Sequence, residues 1–279
     1  MPTLLSLPNE LLLHILSFVR KEPGWTVAPN PVPTQPNKIP KVQLLKIDGP
    51  ECQQDLCNVA LVCYRLSQLA SRLIFHDINL SYPKNYTLYN LRAHNVCRSL
   101  MRSFQENPEL RSHVRTIFFE QGYSRQPEIW FDGFPNAVEV QVFHDGLQKH
   151  QRDMFRLDRH PQEVTPPSAE EDNWVKLLRS CPRVSKLEFK MGGCTGWYDA
   201  VGELLEQLEE WKSTLKEFTL RRYRAGNSRA QLQYRGNPLN LSGFSDLQKL
   251  HVDWDFVIRE FETYRLLPPR LKILEVCTE

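Results

Sequence analysis

The feature that most constrains the fold of this chain is a short apolar pattern that recurs seven times from Phe75 onward. Each occurrence has apolar residues at i, i+3 and i+5. Alternate residues of a β-strand point to the same face, so positions i+3 and i+5 predict a short strand with one buried face. The triplets are Phe75, Ile78, Leu80; Val114, Ile117, Phe119; Ala137, Val140, Val142; Val184, Leu187, Phe189; Leu215, Phe218, Leu220; Leu247, Leu250, Val252; and Leu271, Leu274, Val276.

Helical patterns lie between these predicted strands, over residues 89–106, 173–179, 197–211 and 255–266. Strand–helix units of the form L-x-x-L-x-L resemble leucine-rich repeats. The resemblance implies an α/β fold for residues 81–279, an irregular solenoid of short parallel strands and intervening helices that binds a target protein. The middle residues of successive triplets are 23 to 47 residues apart, which indicates degenerate units with insertions.

Two further points concern this repeat region. Residues 150–172 are polar and contain three prolines, so we interpret the longest spacing as an inserted loop. The chain ends directly after the seventh strand pattern, and solenoids need a cap over their last apolar face. We therefore expect either a fragment that lacks its C-terminal cap or a final strand that is itself the edge.

The opening segment, residues 4–18, predicts an amphipathic helix with an unusually broad apolar face. Pro8 suits a first helical turn, and Glu10 places negative charge near the positive helix end. At 100° per residue the apolar side chains cover an arc of roughly 160°. Residues 55–75 repeat apolar side chains at spacings of three and four, which predicts a second amphipathic helix. The residues of the first arc are Leu11, Leu12, Ile15, Leu16, Phe18 and Val19.

Together these two segments resemble the F-box, most closely that of fungal F-box proteins. The motif runs Leu7-Pro8-x-Glu10, Ile15-Leu16, Val62-Cys63-x-x-Leu66 and Leu69-Ala70, and the tail 73–78 is also similar. The resemblance covers about the first eighty residues and implies an F-box helical bundle over residues 1–80. The sequence departs from the F-box pattern in segment 20–54, which separates the two halves of the motif. The seven prolines of this segment predict an exposed, extended insertion. On pattern alone, the segments also fit a helical hairpin that closes its own core.

The F-box resemblance implies docking on a Skp-type adaptor and, through it, a cullin. The chain is then a substrate-recruiting subunit of an SCF-type cullin-RING ubiquitin ligase, with no catalysis and no cofactor of its own. The alternative is an interaction scaffold without a ubiquitin role, in which the helices only cap the repeats. By residue match the adaptor-binding surface comprises Leu7, Pro8, Glu10, Leu11, Ile15, Leu16, Val62, Cys63 and Leu66.

Composition narrows the partners and the compartment. A net charge of +2 gives no reason to expect nucleic acid or a membrane surface as a partner. Seven cysteines are an odd number, they form no C-x-x-C pair, and no secretory signal opens the chain. We therefore expect free thiols, no metal, and an intracellular location in the cytoplasm or nucleus.

One segment resembles a catalytic motif, because residues 192–196 read G-x-C-x-G between a predicted strand and a predicted helix. That is the context of a nucleophile elbow around Cys194. The glycines equally serve an ordinary strand-to-helix turn, and nothing in the sequence brings His144 or His251 to this thiol as a base. We therefore do not predict an enzyme.

Two sets of residues are candidates for binding the target. Arg221, Arg222 and Arg224 follow a predicted strand, and forked arginine donors suit carboxylate or phosphate groups. Trp197 and Trp254 lie at predicted strand ends or helix starts, where exposed aromatic rings often anchor a partner. A solvated basic loop and ordinary core packing are the competing interpretations.

Overall fold

The computed structural model describes residues 4–19, 54–81, 99–121, 133–145, 173–192, 197–223, 240–253 and 263–277. The chain divides into two compact units, Met1–Asp77 and Ile78–Glu279, whereas the predicted boundary lay between residues 80 and 81. The predicted insertion, apart from Gln54, and the predicted loop 150–172 lie outside the described residues.

The first unit is helical. A 3₁₀ turn, Leu4–Ser6, precedes helix α1, Asn9–Val19, and helices α2, Gln54–Ala60, and α3, Tyr64–Ile74, follow. One apolar cluster joins the three helices. Its fully buried members are Leu12, Leu16, Leu56, Leu66 and Leu69.

The prediction of a single helix over residues 55–75 was wrong, because a turn at 61–63 divides it into α2 and α3. The amides of Leu61 and Val62 turn back to the carbonyls of Asn58 and Val59, and Cys63 is extended. A straight helix of that length would be about 30 Å long, roughly twice the length of α1. Dividing it allows two shorter helices to contribute side chains to the same core.

The second unit is built on a seven-stranded sheet whose strands lie in sequence order. Consecutive strands from β2 to β7 pair in parallel, and the structure is therefore mixed α/β. The strands are β1, Asp77–Ser81; β2, Thr116–Gln121; β3, Glu139–Asp145; β4, Lys186–Gly192; β5, Glu217–Tyr223; β6, Lys249–Asp253; and β7, Ile273–Cys277.

The predicted apolar triplets occupy equivalent places in this sheet. The middle residues Ile117, Val140, Leu187, Phe218, Leu250 and Leu274 align as one row across β2 to β7. The third residues form a second row, two positions further along each strand. Every member of both rows from β2 to β6 is buried, so the strand predictions are confirmed. In the last strand, by contrast, Leu274 is 41% exposed.

A recurring hydrogen bond marks each repeat of the pattern. The carbonyl oxygen two residues before the middle residue accepts two successive backbone N–H groups, at 2.7–3.1 Å. The donors are the residue just before the next strand and the first residue of that strand. Equivalent residues therefore make the same backbone hydrogen bonds in successive units. The acceptors are Arg115, Val138, Ser185, Lys216 and Gln248.

The segments between strands are partly as predicted. The Asn173–Arg179 helix has the expected bounds, and the Trp197–Glu209 helix ends two residues before the prediction. Of the other two predicted helices, residues 99–106 are helical and Thr263–Leu266 forms a 3₁₀ turn, while the remainder lies outside the described residues. Trp174 lies within the Asn173–Arg179 helix and Trp211 lies two residues after the Trp197–Glu209 helix, and both are fully buried.

Candidate docking surfaces

Helix α1 carries two adjacent rows of apolar side chains, of which one is buried and the other is exposed. Leu12 and Leu16, four residues apart, are buried in the helical core. Leu11, Ile15 and Phe18, rotated about 100° from the first pair, are 50%, 39% and 78% exposed, and we call them the apolar stripe. Neighbouring large apolar side chains are normally covered, so this stripe is unusual for a helix that already has a core.

More exposed apolar side chains lie near the start of α1 and in the turn between α2 and α3. Leu4 and Leu5 of the 3₁₀ turn are exposed, and Leu61, Val62 and Tyr64 are largely exposed. Arg65 immediately follows Tyr64 and is hydrogen bonded to the segment that precedes α1 and to the first residue of α1. The exposed residues at the start of α3 therefore lie in the same corner of the helical unit as those of the 3₁₀ turn.

Arg65 fixes this corner through its guanidinium group. Its Nε and Nη2 donate to Asn9 Oδ1 at 3.0 and 2.7 Å, and Nη2 also donates to the carbonyl of Leu7 at 2.7 Å. Nη1 donates to the carbonyl of Leu5. Nothing in the sequence pattern pairs residue 65 with residues 5 to 9, so sequence analysis did not identify this positioning role.

The predicted adaptor-binding residues divide by burial. Leu16 and Leu66 are each 6% exposed and belong to the helical core, so the broad arc of α1 is covered on one side by the chain itself. Leu7 and Cys63 are half-buried against this core. The remaining predicted residues are exposed: Pro8, Glu10, Leu11, Ile15 and Val62.

The sheet presents a polar face opposite its buried rows, which we call the outward face. In its first row Glu139, Lys186, Glu217 and Lys249 align with alternating charge. The ammonium groups of Lys186 and Lys249 bond to Glu139 and Glu217 at 2.8 and 2.7 Å. Burial alone lowers the pKa of Lys186, but the bond to Glu139 and the charges of neighbouring glutamates outweigh burial and raise that pKa.

Two other cations of the outward face are paired in the same way. Lys190 bonds to Glu188 at 2.7 Å, and His251 Nδ1 lies 2.7 Å from Glu275 Oε2. Arg221 is half-buried, and its buried Nε donates to no acceptor.

Arg221 is the predicted target-binding residue whose surroundings are best defined. Arg222 lies in β5 and Trp197 begins its helix, but their side chains are outside what the structure describes. Arg224 and Trp254 also lie outside the described residues. Of these five residues, the structure therefore defines the side-chain surroundings of Arg221 alone.

The structure places the cysteines of this chain in different surroundings. Gly192 ends β4, and Cys194 lies outside the described residues. Cys181 is a free, buried thiol, and burial raises its pKa to about 12 in spite of a contact with the Ser180 hydroxyl. Cys57, Cys63 and Cys277 are also free. The described residues contain no cluster of three side chains suited to a metal ion.

No protein-family model matches this chain, and no curated protein matches it either. None of the helices in the described ranges has both the length and the apolar content needed to cross a bilayer.

Proposed function

We propose that this chain is the substrate-recruiting subunit of an SCF-type cullin-RING ubiquitin ligase. In this proposal the helical unit is an F-box that docks on a Skp-type adaptor. The sheet unit is a leucine-rich-repeat-like solenoid that holds a target protein. The receptor does no chemistry itself and acts by raising the effective concentration of the target beside the conjugating machinery.

The observation that carries the proposal is the apolar stripe of α1. Leu11, Ile15 and Phe18 stay exposed although Leu12 and Leu16, on the same helix, are buried. Covering a large aliphatic side chain completely contributes about 1.5–3 kcal/mol. The exposed fractions of Leu11 and Ile15 together equal about nine-tenths of one such side chain, which gives about 1.3–2.7 kcal/mol for a partner that covers both.

The proposed solenoid is supported by the repetition within the sheet. Two apolar rows run through equivalent positions of β2 to β6, and a bifurcated backbone acceptor recurs before each added strand. Units that share the same core rows and the same connecting hydrogen bonds are what stacked repeats require.

The test is co-purification of the full chain with a Skp-type adaptor after co-expression. In the double variant Leu11→Asp, Ile15→Asp, the lost apolar contact alone weakens binding about 10- to 100-fold, and two unpaired carboxylates at the interface weaken it further. Ser17→Asp is the matched control, because it adds the same charge to an exposed position of α1 away from the stripe.

We expect the wild type and Ser17→Asp to retain the adaptor and the double variant to lose it. Leu11 and Ile15 are both exposed, so the double variant should keep its fold, and circular dichroism checks this. Adaptor retained equally by all three proteins would contradict the docking assignment.

A second candidate function is an interaction scaffold in which the helices cap the repeats. It is favoured by the burial of Leu16 and Leu66, two of the residues predicted to dock, in the core of the helical unit itself. A scaffold predicts no adaptor in the co-purified material from any variant, whereas the ligase subunit predicts the pattern described above.

A further inference from the structure

The last strand of the sheet has one open edge in the described part of the chain. β7 is the terminal strand, and β6 is its only neighbour among the described strands. In the row through the middle residue of each triplet, every member from β2 to β6 is at most 1% exposed, whereas Leu274 is 41% exposed. Ile273, on the opposite face, is exposed to the same extent. Both faces of this edge therefore carry apolar area that the described residues leave exposed.

The backbone of β7 repeats the arrangement that joins each earlier strand to the next. In five successive units one carbonyl accepts two N–H groups of the following unit, and Gln248 does so for Lys272 and Ile273. Lys272 is the equivalent of Gln248 in the last unit, and no described residue donates to its carbonyl oxygen. Neighbouring residues of a strand direct their backbone groups to opposite edges, so the N–H and C=O groups of Leu274 and Val276 also face the open edge.

A second copy of this chain does not fit this edge well. Two β7 strands related by a twofold axis would run antiparallel, whereas all pairings from β2 to β7 are parallel. The antiparallel register that sets Leu274 opposite the second copy's Val276 also sets the two copies of Glu275 opposite each other. Like charges directly opposite one another destabilise a sheet. The occupant that the edge favours is therefore a parallel strand of different sequence.

The charged side chains behind this edge compensate one another. On the outward face of β6, Lys249 is bonded to Glu217 at 2.7 Å. Asp253 comes one residue after the register partner of Leu220, so it stands beside Arg221. Neither pair leaves a surplus charge for a ligand at the edge.

Glu275 is the carboxylate of β7 itself, and its side chain is 56% exposed. Its bond to His251 Nδ1, at 2.7 Å, neutralises the carboxylate only when the imidazole is protonated. Lys272 lies three residues earlier, about 10 Å along the chain, and bonds to Gln248 Oε1 at 2.9 Å. A basic residue directly opposite Glu275 would add a favourable pair across the two strands.

We propose that β7 receives an extended segment of the target protein as an additional parallel strand. This segment carries apolar residues opposite Leu274 and Val276 and a basic residue between them, opposite Glu275. The inference rests on the target-binding half of the proposed function and gives that half a class of partner, a peptide segment recognised largely through its backbone. The adaptor-binding half is independent of it.

The test titrates fluorescein-labelled ten-residue peptides with the full chain and follows fluorescence anisotropy. The parent peptide has the core Thr-Leu-Lys-Val-Thr, in which Leu, Lys and Val stand opposite Leu274, Glu275 and Val276. N-methylation of the Lys amide removes the N–H that bonds to the Leu274 carbonyl and should weaken binding about tenfold or more. The matched control is N-methylated at the Leu amide, whose N–H faces away from β7, and should bind as the parent does.

The charge preference is tested with a second peptide that has Glu in place of Lys. It should bind the wild type about three- to tenfold more weakly than the parent, because a favourable pair becomes a repulsive one. Glu275→Gln should remove most of this preference. Glu188→Gln is the matched control, because Glu188 lies in the same row on β4, away from the edge, and it should keep the preference. Thermal unfolding establishes that each variant is folded.

The direction of the added strand is tested through Cys277, a free cysteine two residues after Glu275 on the same face. In a parallel pair the second Thr of the peptide core stands opposite Cys277, at a strand spacing that suits a disulfide. A peptide with an activated cysteine at that position should cross-link to Cys277. A peptide with the cysteine at the first Thr should not, and peptide mapping by mass spectrometry identifies the product.

Four results would each overturn the proposal. They are no binding of the parent peptide, equal binding of the two N-methylated peptides, binding of the Glu peptide as tight as that of the parent, and preferential cross-linking from the first Thr position. A dimer in light scattering that Leu274→Asp dissociates would assign the edge to a second copy and overturn it as well. Adaptor co-purification is measured on the same protein samples. Because the apolar stripe is unchanged in them, adaptor retained alongside any of these results would leave the ligase proposal standing.

Discussion

Two leucines in the same row of the sheet give a direct test of the repeat architecture. Leu187 is fully buried in β4, whereas Leu274, at the equivalent position of β7, is 41% exposed. Both belong to the row that passes through the middle residue of each triplet. Truncating each to alanine removes the same atoms from equivalent backbone positions, so the difference between the two variants reports the environment alone.

The expected magnitudes follow from burial. Leu187→Ala leaves a cavity among buried side chains and should lower the free energy of unfolding by about 2–5 kcal/mol. Leu274 is about three-fifths covered, and water can fill the space that its truncation leaves, so Leu274→Ala should cost about 1–2 kcal/mol.

Urea unfolding followed by tryptophan fluorescence measures both values, because Trp174 and Trp211 are buried in the sheet unit. The slope of free energy against urea should be unchanged, so that the midpoint alone reports stability. If Leu274→Ala costs as much as Leu187→Ala, the last strand is as fully enclosed as the central one, and our description of the sheet is wrong.

Further predictions concern Arg65 and the cysteine thiols. Arg65→Met removes the bonds to Asn9, Leu5 and Leu7 and should lower the stability of the helical unit by about 1–3 kcal/mol, measured by circular dichroism, while Arg72→Met, at an exposed position of the same helix, should not. Cys181 should resist alkylation at pH 8 in the folded chain, unlike exposed Cys57; equal rates would contradict its burial. Its pKa is raised on folding, so its contribution to stability is complete below about pH 9 and is lost as the pH rises towards 12; Cys181→Ala should flatten that loss.

The same labelling bears on the catalytic alternative. A nucleophile at Cys194 requires a thiol that reacts faster than the ordinary exposed thiol of Cys57. Labelling of Cys194 at or below the rate of Cys57 would dispose of that alternative.

The strands were predictable from sequence because their signal is local. A buried strand face needs apolar residues two positions apart, which are the middle and last residues of each triplet. The first residue of the triplet lies three positions before the middle one and marks the start of each unit. The burial of Val140 and Val142, and of Phe218 and Leu220, follows directly from that pattern.

The helical unit was harder to predict because its decisive features are tertiary. The apolar spacing of Val59, Val62 and Leu66 continues through the turn at 61–63, so the pattern alone is that of one helix. Which side of the α1 arc is covered also cannot be predicted from its width, since Leu12 and Leu11 are equally apolar but only Leu12 is buried.

The candidate binding sites show the same division between local and tertiary information. The sequence identified Arg221 as a forked donor after a strand. The burial of its Nε and its position beside Lys190 depend on the sheet, whose register couples residues 31 positions apart. Arg65 is a comparable case in the helical unit, where the contact joins residues 56 to 60 positions apart.

The central claim is that a second protein covers the apolar stripe of α1, and thiol labelling of the full chain carrying Ile15→Cys tests it most directly. Ser17→Cys is the matched control on the same helix, away from the stripe. The account predicts that both thiols label rapidly in the free chain and that a purified Skp-type adaptor protects position 15 but leaves position 17 reactive. Slow labelling at position 15 in the free chain, or unchanged labelling when the adaptor is added, would contradict it.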